Sequence, residues 1–396
     1  MKEISRNLIA KVSLRSILII IGLGVLVLLL FFRLTTIFPG WGMAELATRY
    51  NDQSFHYILY HPINAPYSLL VLLLVKIMPH SILSVRLASI FFGVATIVLF
   101  FFIVRRWFGG IVAWLTSLML VSSTWFLRSA RQGTPDVLLF SLLLFVGLNL
   151  WLRRGHHRRI AIGLIGLSIV LSLYIPGLIW FTAAACIWQR HLIRALVQKL
   201  HLKPKLVMVG VTVVLFLPLL WAIIHNYKLV WSVLGLPSRV PAALPALRHL
   251  SAVGLNLFVR GPYQPGLWVG RSPVLDVVES VLLIFGIYVY WQKHQSTRLY
   301  SLAVIFIITT VLVSLGGPVS LSLIIPFVYL AIAAGMSYLI KEWLSTFPRN
   351  PIARGVGMSL LVLAVLLSCF FQLNRYFIAW PHTPQAKSTF SYTLKP

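Results

Sequence analysis

The chain has 396 residues, of which 59% are hydrophobic and only 10% are charged, and apolar runs of bilayer-spanning length recur along it. A formal net charge of +27 would suit a nucleic-acid partner in a soluble protein. Here, however, Lys and Arg cluster in short connectors between apolar runs, which is the pattern of cytoplasmic loops. Composition therefore argues against nucleic-acid binding and predicts an all-α polytopic membrane protein with no sizeable soluble domain.

The first apolar run, 14–32, follows a basic segment that contains Lys2, Arg6, Lys11 and Arg15. By the positive-inside rule these charges place the N-terminus in the cytoplasm. No convincing small-residue cleavage site follows the run, so we interpret it as an uncleaved first span and not as a signal peptide. We expect the protein in the plasma (inner) membrane.

Residues 66–80 form an apolar segment of about 15 residues, shorter than the roughly 20 that a spanning helix needs, and they contain Lys76. We predict a helix that lies on the outer surface. If this segment does not cross, the positive-inside rule is satisfied by every large basic cluster that follows. These clusters lie at 105–106, 153–159 and 190–205.

Breaks at Pro176-Gly177 and at Gly316-Gly317-Pro318 each divide a long apolar stretch into two predicted spans. Eleven spans result, at 14–32, 82–104, 109–127, 136–152, 160–175, 177–189, 206–225, 275–291, 299–315, 318–340 and 355–373. The membrane-embedded domain then covers 1–373, with outer loops at 33–81 and 226–274. A short tail, 374–396, and the C-terminus are predicted on the outer face.

The few carboxylates are distributed unevenly between the two predicted faces. The acids predicted outside or at the outer boundary are Glu45, Asp52, Asp136, Asp276 and Glu279, and those predicted inside are Glu3 and Glu342. A carboxylate beside arginines at a lipid interface suits removal of an acceptor proton while a lipid-linked phosphate departs. Arginine also binds phosphate oxygens through its planar fork.

Three outer segments carry these groups. The first contains Glu45, Arg49, Asp52, His56 and His61; the second contains Arg128, Arg131 and Asp136; the third contains Lys228, Arg239, Arg248, Arg260 and Arg271. The two histidines, at a spacing of five, are a weak metal signal. We therefore predict no metal ligands, and dependence on a divalent metal stays open.

Several segments in order resemble the GT-C glycosyltransferases, in particular the group of protein mannosyltransferases and lipid A aminoarabinose transferases. The resemblance begins with the first-loop acid, followed by "NAPYSLLVLLLVKI", "SVRLASIFFGVATIVLFFFIVRRWFGG" and "SARQGTPDVLLFSLLL". "NLFVRGPYQPGLWVGRSPVLDVVESVLLIFGIYVY" is similar to the loop and following span of bacterial members, and "SLSLIIPFVYLAIAAG" and "NRYFIAWPHTPQAKSTF" are similar to their late span and post-membrane segment.

The resemblance implies inverting transfer of a sugar from a polyprenyl-phosphate donor to an acceptor (protein, lipid or glycan) on the outer side. A first-loop carboxylate would be the base. The family has an Asp-Glu pair there, and this chain has Ala44 and Glu45. Glu45 is the favoured base because it lies next to the position of the missing Asp, Asp52 is the second choice, and loss of catalysis is the third alternative; Asp136 matches the second-loop acid. The expected substrate contacts are Arg49, Tyr67, Arg128, Arg131, Arg260 and Arg271.

The same residues also allow other interpretations. Glu45 could pair with Arg49 four residues on, Asp136 could be a helix N-terminal charge, and Arg128 and Arg131 could anchor to lipid headgroups. A transporter or flippase for a lipid-linked molecule is the main functional alternative. It would be expected to have midplane ionisable groups, broken helices or an internal repeat, and the sequence shows neither a midplane carboxylate nor a convincing repeat. An inactive GT-C-like subunit is the third.

Overall fold

A computed structural model describes residues 14–38, 40–52, 54–152, 158–198, 202–239, 241–261, 268, 272–292 and 296–392. Almost all of these residues belong to helices. The β-type pairing found among them is one antiparallel bridge, between Trp41 and Tyr392. The prediction of an all-α protein is confirmed.

The helices of the first half are α1 (Leu14–Phe31), α2 (Met43–Asn51), α3 (Phe55–Tyr60), α4 (Ala65–Ile77), α5 (Leu83–Phe108), α6 (Gly110–Ser122), α7 (Thr124–Arg131), α8 (Leu142–Leu152), α9 (Arg158–Ser172), α10 (Leu178–Trp188) and α11 (Arg190–Gln198). Those of the second half are α12 (Leu202–His225), α13 (Leu229–Val233), α14 (Ala243–Phe258), α15 (Val277–Gln292), α16 (Ser296–Ser314), α17 (Ile325–Thr346), α18 (Pro351–Asn374) and α19 (Pro384–Thr389). Two 3₁₀ segments, Pro135–Ser141 and Leu321–Ile324, precede α8 and α17, and a π-helical turn, Arg375–Ala379, follows α18.

Helices long and apolar enough to cross a membrane identify the chain as membrane-embedded. Within the described residues, five qualify: Leu83–Phe108, Pro135–Leu152, Leu206–His225, Leu321–Thr346 and Pro351–Ala379. A sixth span results if α6 and α7 are counted as one, although they meet at a bend of 65°.

The predicted count of eleven spans is not confirmed. Five of the predicted spans fall on helices whose described apolar part is 10–17 residues long, below the roughly 20 residues of a typical span. They are Ile17–Phe31, Ile160–Ser172, Leu178–Trp188, Val277–Gln292 and Arg298–Ser314. The predicted surface segment at 66–80 is α4, another helix of this short class.

Two predicted helix breaks are confirmed, and both depend on glycine. Gly177, before α10, and Gly316, after α16, have φ values of +74°, a left-handed conformation that glycine adopts without steric cost. At Gly177 the chain also passes so close to Gly235 that a Cβ on Gly235 would lie 2.7 Å from the Gly177 Cα. The turn therefore also fixes the segment after α13 against the start of α10.

The centre of the bundle is α17, most of which is buried. It crosses α15 at Gly286 and Gly335, where a Cβ on Gly286 would lie 1.9 Å from the Ala331 carbonyl oxygen. Small residues at a crossing allow two helix backbones to touch, which is a common way of packing helices in membranes. This crossing lies in the same core as α5 and α6, and the N-terminal end of α5 meets the polar segments described next.

Candidate functional site

Glu45 and Arg86 form a buried ion pair at the N-terminal end of α5. The side chains are 2% and 3% exposed, and the Arg86 Nε and Nη2 atoms lie 2.8 and 3.1 Å from the two Glu45 carboxylate oxygens. The backbone N–H groups of Gly42 and Gly133 also donate to this carboxylate, at 2.9 and 3.3 Å. Glu45 therefore joins the opening loop to the segment after α7.

The N–H groups of Arg86 are also fully hydrogen-bonded. Besides its bonds to Glu45, it donates to the backbone oxygens of Leu34 (2.8 Å), Phe38 (2.9 Å) and Gly40 (3.3 Å). A guanidinium has five N–H groups and a carboxylate about four lone-pair sites, so these contacts use the hydrogen-bonding capacity of both side chains. The arrangement gives Glu45 an anchoring role and leaves its oxygens little capacity to accept another proton.

Tyr67, at the start of α4, is fully buried between the polar segments. Its hydroxyl lies 3.1 Å from the Val85 carbonyl oxygen and 2.9 Å from Ser89 Oγ, and Ser89 in turn bonds the Gln132 carbonyl oxygen at 2.5 Å. Burial, together with the charges of Asp52, Glu45 and Asp136, raises the pKa of Tyr67 well above its ordinary value. The three acids predicted from the sequence therefore lie within electrostatic range of one phenol.

Asp52 ends α2 and is 7% exposed, outside the candidate spans. Burial raises the pKa of its carboxyl group from 3.8 to about 6, and a hydrogen bond from Ser68 partly offsets the rise. Because no cation is paired with Asp52 in the described part of the chain, its carboxylate keeps capacity to accept a proton. A buried carboxyl that titrates near neutral pH is suited to proton transfer.

Arg128 and Asp136 lie on the two sides of the turn between α7 and the 3₁₀ segment Pro135–Ser141, close enough for their charges to interact. Their charges attract, and both side chains remain partly exposed. Arg128 Nε also lies 3.4 Å from the Gln132 side-chain oxygen, at the long end of the hydrogen-bond range. This pair is thus more accessible than the Glu45–Arg86 pair.

Arg131 differs from Arg128 in that it is buried, with 3% exposure. Its Nη2 donates to the Phe32 carbonyl oxygen at 2.6 Å, and its guanidinium lies 5.2 Å from the Tyr376 ring centroid and 5.0 Å from that of Phe377. These are the contacts of a side chain that holds α7 against the π-helical turn. Arg131 is therefore not at the aqueous boundary where the sequence pattern placed it.

The other residues predicted to contact substrate are Arg49, Arg260 and Arg271. Arg49 Nη2 donates to the Pro79 carbonyl oxygen at 2.6 Å, and Glu45 pairs with Arg86 and not with Arg49, the alternative that the sequence allowed. Arg260 is exposed beyond the end of α14, and Arg271 lies outside the described residues. Among the described residues no three His, Cys, Asp or Glu side chains form a group able to hold a metal ion.

The C-terminal segment covers the buried ion pair. Phe390 stacks on Phe38 with ring centroids 4.2 Å apart, and the backbones of Trp41 and Tyr392 are bridged. The space left between Glu45, Arg86, Arg131 and these rings is a cavity of only about 10 Å³. The Glu45–Arg86 pair therefore has room beside it for no more than a water-sized molecule.

A second polar cluster joins α15 to α17 and α18 and was not identified from the sequence. Glu279 is fully buried; it accepts hydrogen bonds from the Tyr329 hydroxyl, from Gln372 Nε2 at 2.9 Å and from the Asp276 backbone at 3.0 Å. Gln372 continues the network to Thr124, at the α6–α7 bend. The Asp276-x-x-Glu279 spacing is typical of reciprocal capping at a helix start, and it is the feature of the sequence from which this cluster could have been predicted.

No family model, curated protein or solved structure matches this chain.

Arg86 was also not singled out as a functional residue. It lies inside the apolar run "SVRLASIFFG", and a cation in such a run must find an acid or several carbonyl groups. That rule would have flagged Arg86 but not its partner, since Glu45 is 41 residues away along the chain. The first-loop and second-loop acids are brought together largely because this pair connects their segments.

Proposed function

We propose that the protein is a membrane-embedded inverting glycosyltransferase that moves a sugar from a polyprenyl-phosphate donor to an acceptor hydroxyl on the outer face of the membrane. The observation that carries the proposal is the convergence of Asp52, Asp136 and the partly exposed Arg128 at one end of the bundle. An acid that titrates near neutral pH and a partly exposed arginine, both at the same end of the bundle, meet the needs of this reaction at a lipid interface. The GT-C resemblance of the sequence agrees with it.

Asp52 is the proposed base. It takes the proton of the acceptor hydroxyl as the acceptor oxygen bonds to the anomeric carbon of the sugar. The bond from that carbon to the phosphate oxygen breaks, and the lipid phosphate leaves with the electron pair. Arg128 binds the phosphate oxygens and stabilises the charge that develops on them, while the nearby charge of Asp136 attracts the Arg128 guanidinium. Glu45 positions the loop through Arg86.

Replacing Asp52 with Asn tests the base. We expect transfer of labelled sugar from polyprenyl-phosphate donors to cell-envelope acceptors to fall by about 10² to 10⁴, the usual contribution of a positioned base. Wild-type transfer should fall as the pH drops through about 6, because the Asp52 carboxylate is then protonated. Glu342→Gln, at an exposed acid on α17, is the control and should keep wild-type turnover.

Thermal stability shows whether Asp52→Asn loses sugar transfer because the base is missing or because the protein misfolds. The folded protein holds the Asp52 proton more tightly than the unfolded chain, so this group makes stability decrease as the pH rises from about 4 to about 6. Asp52→Asn removes that decrease and should melt no lower than wild type at pH 8. Normal turnover of Asp52→Asn would refute the assignment of the base.

Replacing Arg128 with Ala tests the phosphate contact. Charge-assisted hydrogen bonds of this kind contribute about 1.5 to 3 kcal/mol, so donor binding should weaken by about tenfold or more. Arg128→Lys keeps the charge but not the fork and should retain part of the affinity. Donor affinity equal to wild type in Arg128→Ala, measured with a fluorescent polyprenyl phosphate, would contradict the assignment.

A flippase is the second candidate, and one observation favours it. The bend of 65° between α6 and α7 lies next to the buried Glu279 network, and broken helices with buried acids are features of transporters. In the sugar-transfer assay a flippase would form no product. Reconstituted into a vesicle, it would instead move the donor across the membrane. A glycosyltransferase would form the product in detergent, where no membrane separates two sides.

A further inference from the structure

A cleft lies at the opposite end of the bundle from Asp52 and Arg128. It is a partly open cleft of about 490 Å³ between α5, α8, α10, α15, α16 and α17. Trp107 lines it, and Trp107 lies about 32 Å along α5 from Arg86 at 1.5 Å per residue. The cleft is therefore separate from the site proposed for sugar transfer, and its volume is within the range of about 300 to 1,000 Å³ typical of ligand pockets.

The cleft is polar at its mouth and apolar along its depth. The residues at the mouth are Trp107, Asn149, Gln189, Tyr290 and Arg298, each near the end of its helix. The deeper wall is formed by Phe145, Val146, Phe181, Leu302, Ile305 and Leu330. On α16 the distance from Arg298 to Ile305 is about 10 Å along the helix axis. The charged side chain therefore lies at one end of a cleft whose remaining wall is largely apolar.

Arg298 is held in place at the mouth. Its guanidinium lies 4.5 Å from the Trp107 ring centroid and 6.0 Å from that of Phe108, and it forms a hydrogen bond with Tyr290. Opposite, Asn149 Nδ2 donates to Gln189 Oε1 at 2.8 Å. Among the described residues, the partners of Arg298 are one phenol oxygen and two ring faces, which occupy fewer than the five N–H donors of a guanidinium. A planar guanidinium held in this way is suited to bind a further anion.

We propose that this cleft binds an anionic phospholipid of the surrounding bilayer, with the headgroup phosphate at Arg298 and an acyl chain along the apolar wall. The walls belong to helices of the membrane-embedded bundle, so lipid is the solute present there at high concentration. Arginine selects phosphate through its fork, and Trp107 beside it suits the headgroup level of a membrane. In the predicted orientation of the chain, Arg298 and Trp107 lie at the level of the cytoplasmic leaflet, where anionic lipids attract basic residues.

The proposal is tested by native mass spectrometry of the full-length protein, titrated with phosphatidylglycerol or phosphatidylcholine. We expect one saturable phosphatidylglycerol to bind about tenfold more tightly than phosphatidylcholine, as one charge-assisted contact would give. Ala185 and Ala183 are both exposed on α10. Ala185 lies on the face that lines the cleft, and Ala183 does not line it. Ala185→Trp should lose this lipid, and Ala183→Trp should retain it.

Arg298 variants test the headgroup contact separately. Arg298→Gln should lower phosphatidylglycerol affinity to that of phosphatidylcholine, and Arg298→Lys should keep part of the preference. Equal binding of both lipids to wild type, or wild-type binding in Ala185→Trp, would overturn the proposal. Inorganic phosphate that displaces the lipid at millimolar concentration would also overturn it, because the acyl chain would then contribute nothing. The readout does not involve sugar transfer, so failure of the proposed activity leaves this test intact.

Discussion

Full hydrogen bonding explains how the bundle tolerates an ion pair as buried as Glu45–Arg86. Removing two charges from water costs several kcal/mol per ion, and attraction offsets this only when the remaining donors and acceptors are also bonded. Here the carbonyl groups of Leu34, Phe38 and Gly40 complete Arg86. The opening loop, which has little regular structure before α2, thereby takes its shape from one side chain of α5.

We expect Glu45→Gln to destabilise the protein by about 3 to 5 kcal/mol, because it leaves the Arg86 charge buried without its partner. A thiol-reactive dye that reports unfolding on heating would show a lower midpoint. If sugar transfer is also lost, the loss should follow the folded fraction, whereas in Asp52→Asn it should not.

The matched control is the double variant Glu45→Met, Arg86→Met. Buried ion pairs replaced by apolar residues of similar volume are often neutral, so the double variant should be more stable than Glu45→Gln. If Glu45→Gln melts like wild type, the pair does not anchor the loop, and Glu45 returns as the leading candidate for the base.

Local spacing predicted some contacts of single residues and missed others. Arg128 and Asp136, eight positions apart, were predicted together and do attract each other. Pairing of Glu45 with Arg49, one helical turn on, was an alternative interpretation, but the partner of Glu45 is Arg86. Spacing within one segment reports neighbours on that segment only. A partner brought by tertiary folding leaves no such periodic mark.

Among the elements, the α15–α17 crossing depends on the absence of side chains at two positions. A Cβ on Gly286 would lie 1.9 Å from the Ala331 oxygen, and one on Gly335 would lie 2.0 Å from the Leu282 oxygen. Backbone cannot move aside as a flexible side chain can. We expect Gly286→Ala and Gly335→Ala each to cost about 1 to 3 kcal/mol, as overpacking usually does, when thermal unfolding is measured.

Gly355→Ala is the control for this effect. Gly355 is also helical, but a Cβ there would meet no atom within 4 Å. Alanine is the better helix former by about 1 kcal/mol, so this variant should melt at or above the wild-type temperature. If all three variants shifted equally, helix propensity and not close packing would govern the crossing.

The elements were predicted best where composition changes sharply. The breaks at Gly177 and Gly316 follow from residues that end helices, and both were found. The bend at Ser123 was not predicted, because "LVSSTWF" contains neither glycine nor proline. The C-terminal segment was predicted as a tail, yet it forms α19 and bridges Trp41, a pairing between chain ends that local sequence does not encode.

At the scale of the whole molecule, the two proposed sites divide the bundle by chemistry. The acids Glu45, Asp52, Asp136 and Glu279 lie in the end that contains the start of α5, and the Arg298 cleft lies at the other. A membrane presents different headgroups and solutes on its two sides, so an asymmetric protein of this kind has a definite orientation. That orientation is a prediction from the charge pattern and is open to direct measurement.

Single cysteines at exposed Ser238, after α13, and exposed Ser345, near the end of α17, would measure it once Cys186 and Cys369 are replaced. Three predicted spans separate the two positions, so we expect an impermeant thiol reagent applied to intact cells to label Ser238→Cys and not Ser345→Cys. If α4 crossed the membrane, every later segment would exchange sides and the labelling would be reversed. Labelling of both would mean that one of α15, α16 and α17 does not cross. α15, with 16 residues, is shorter than a full span, so it is the first helix to re-examine if both cysteines are labelled.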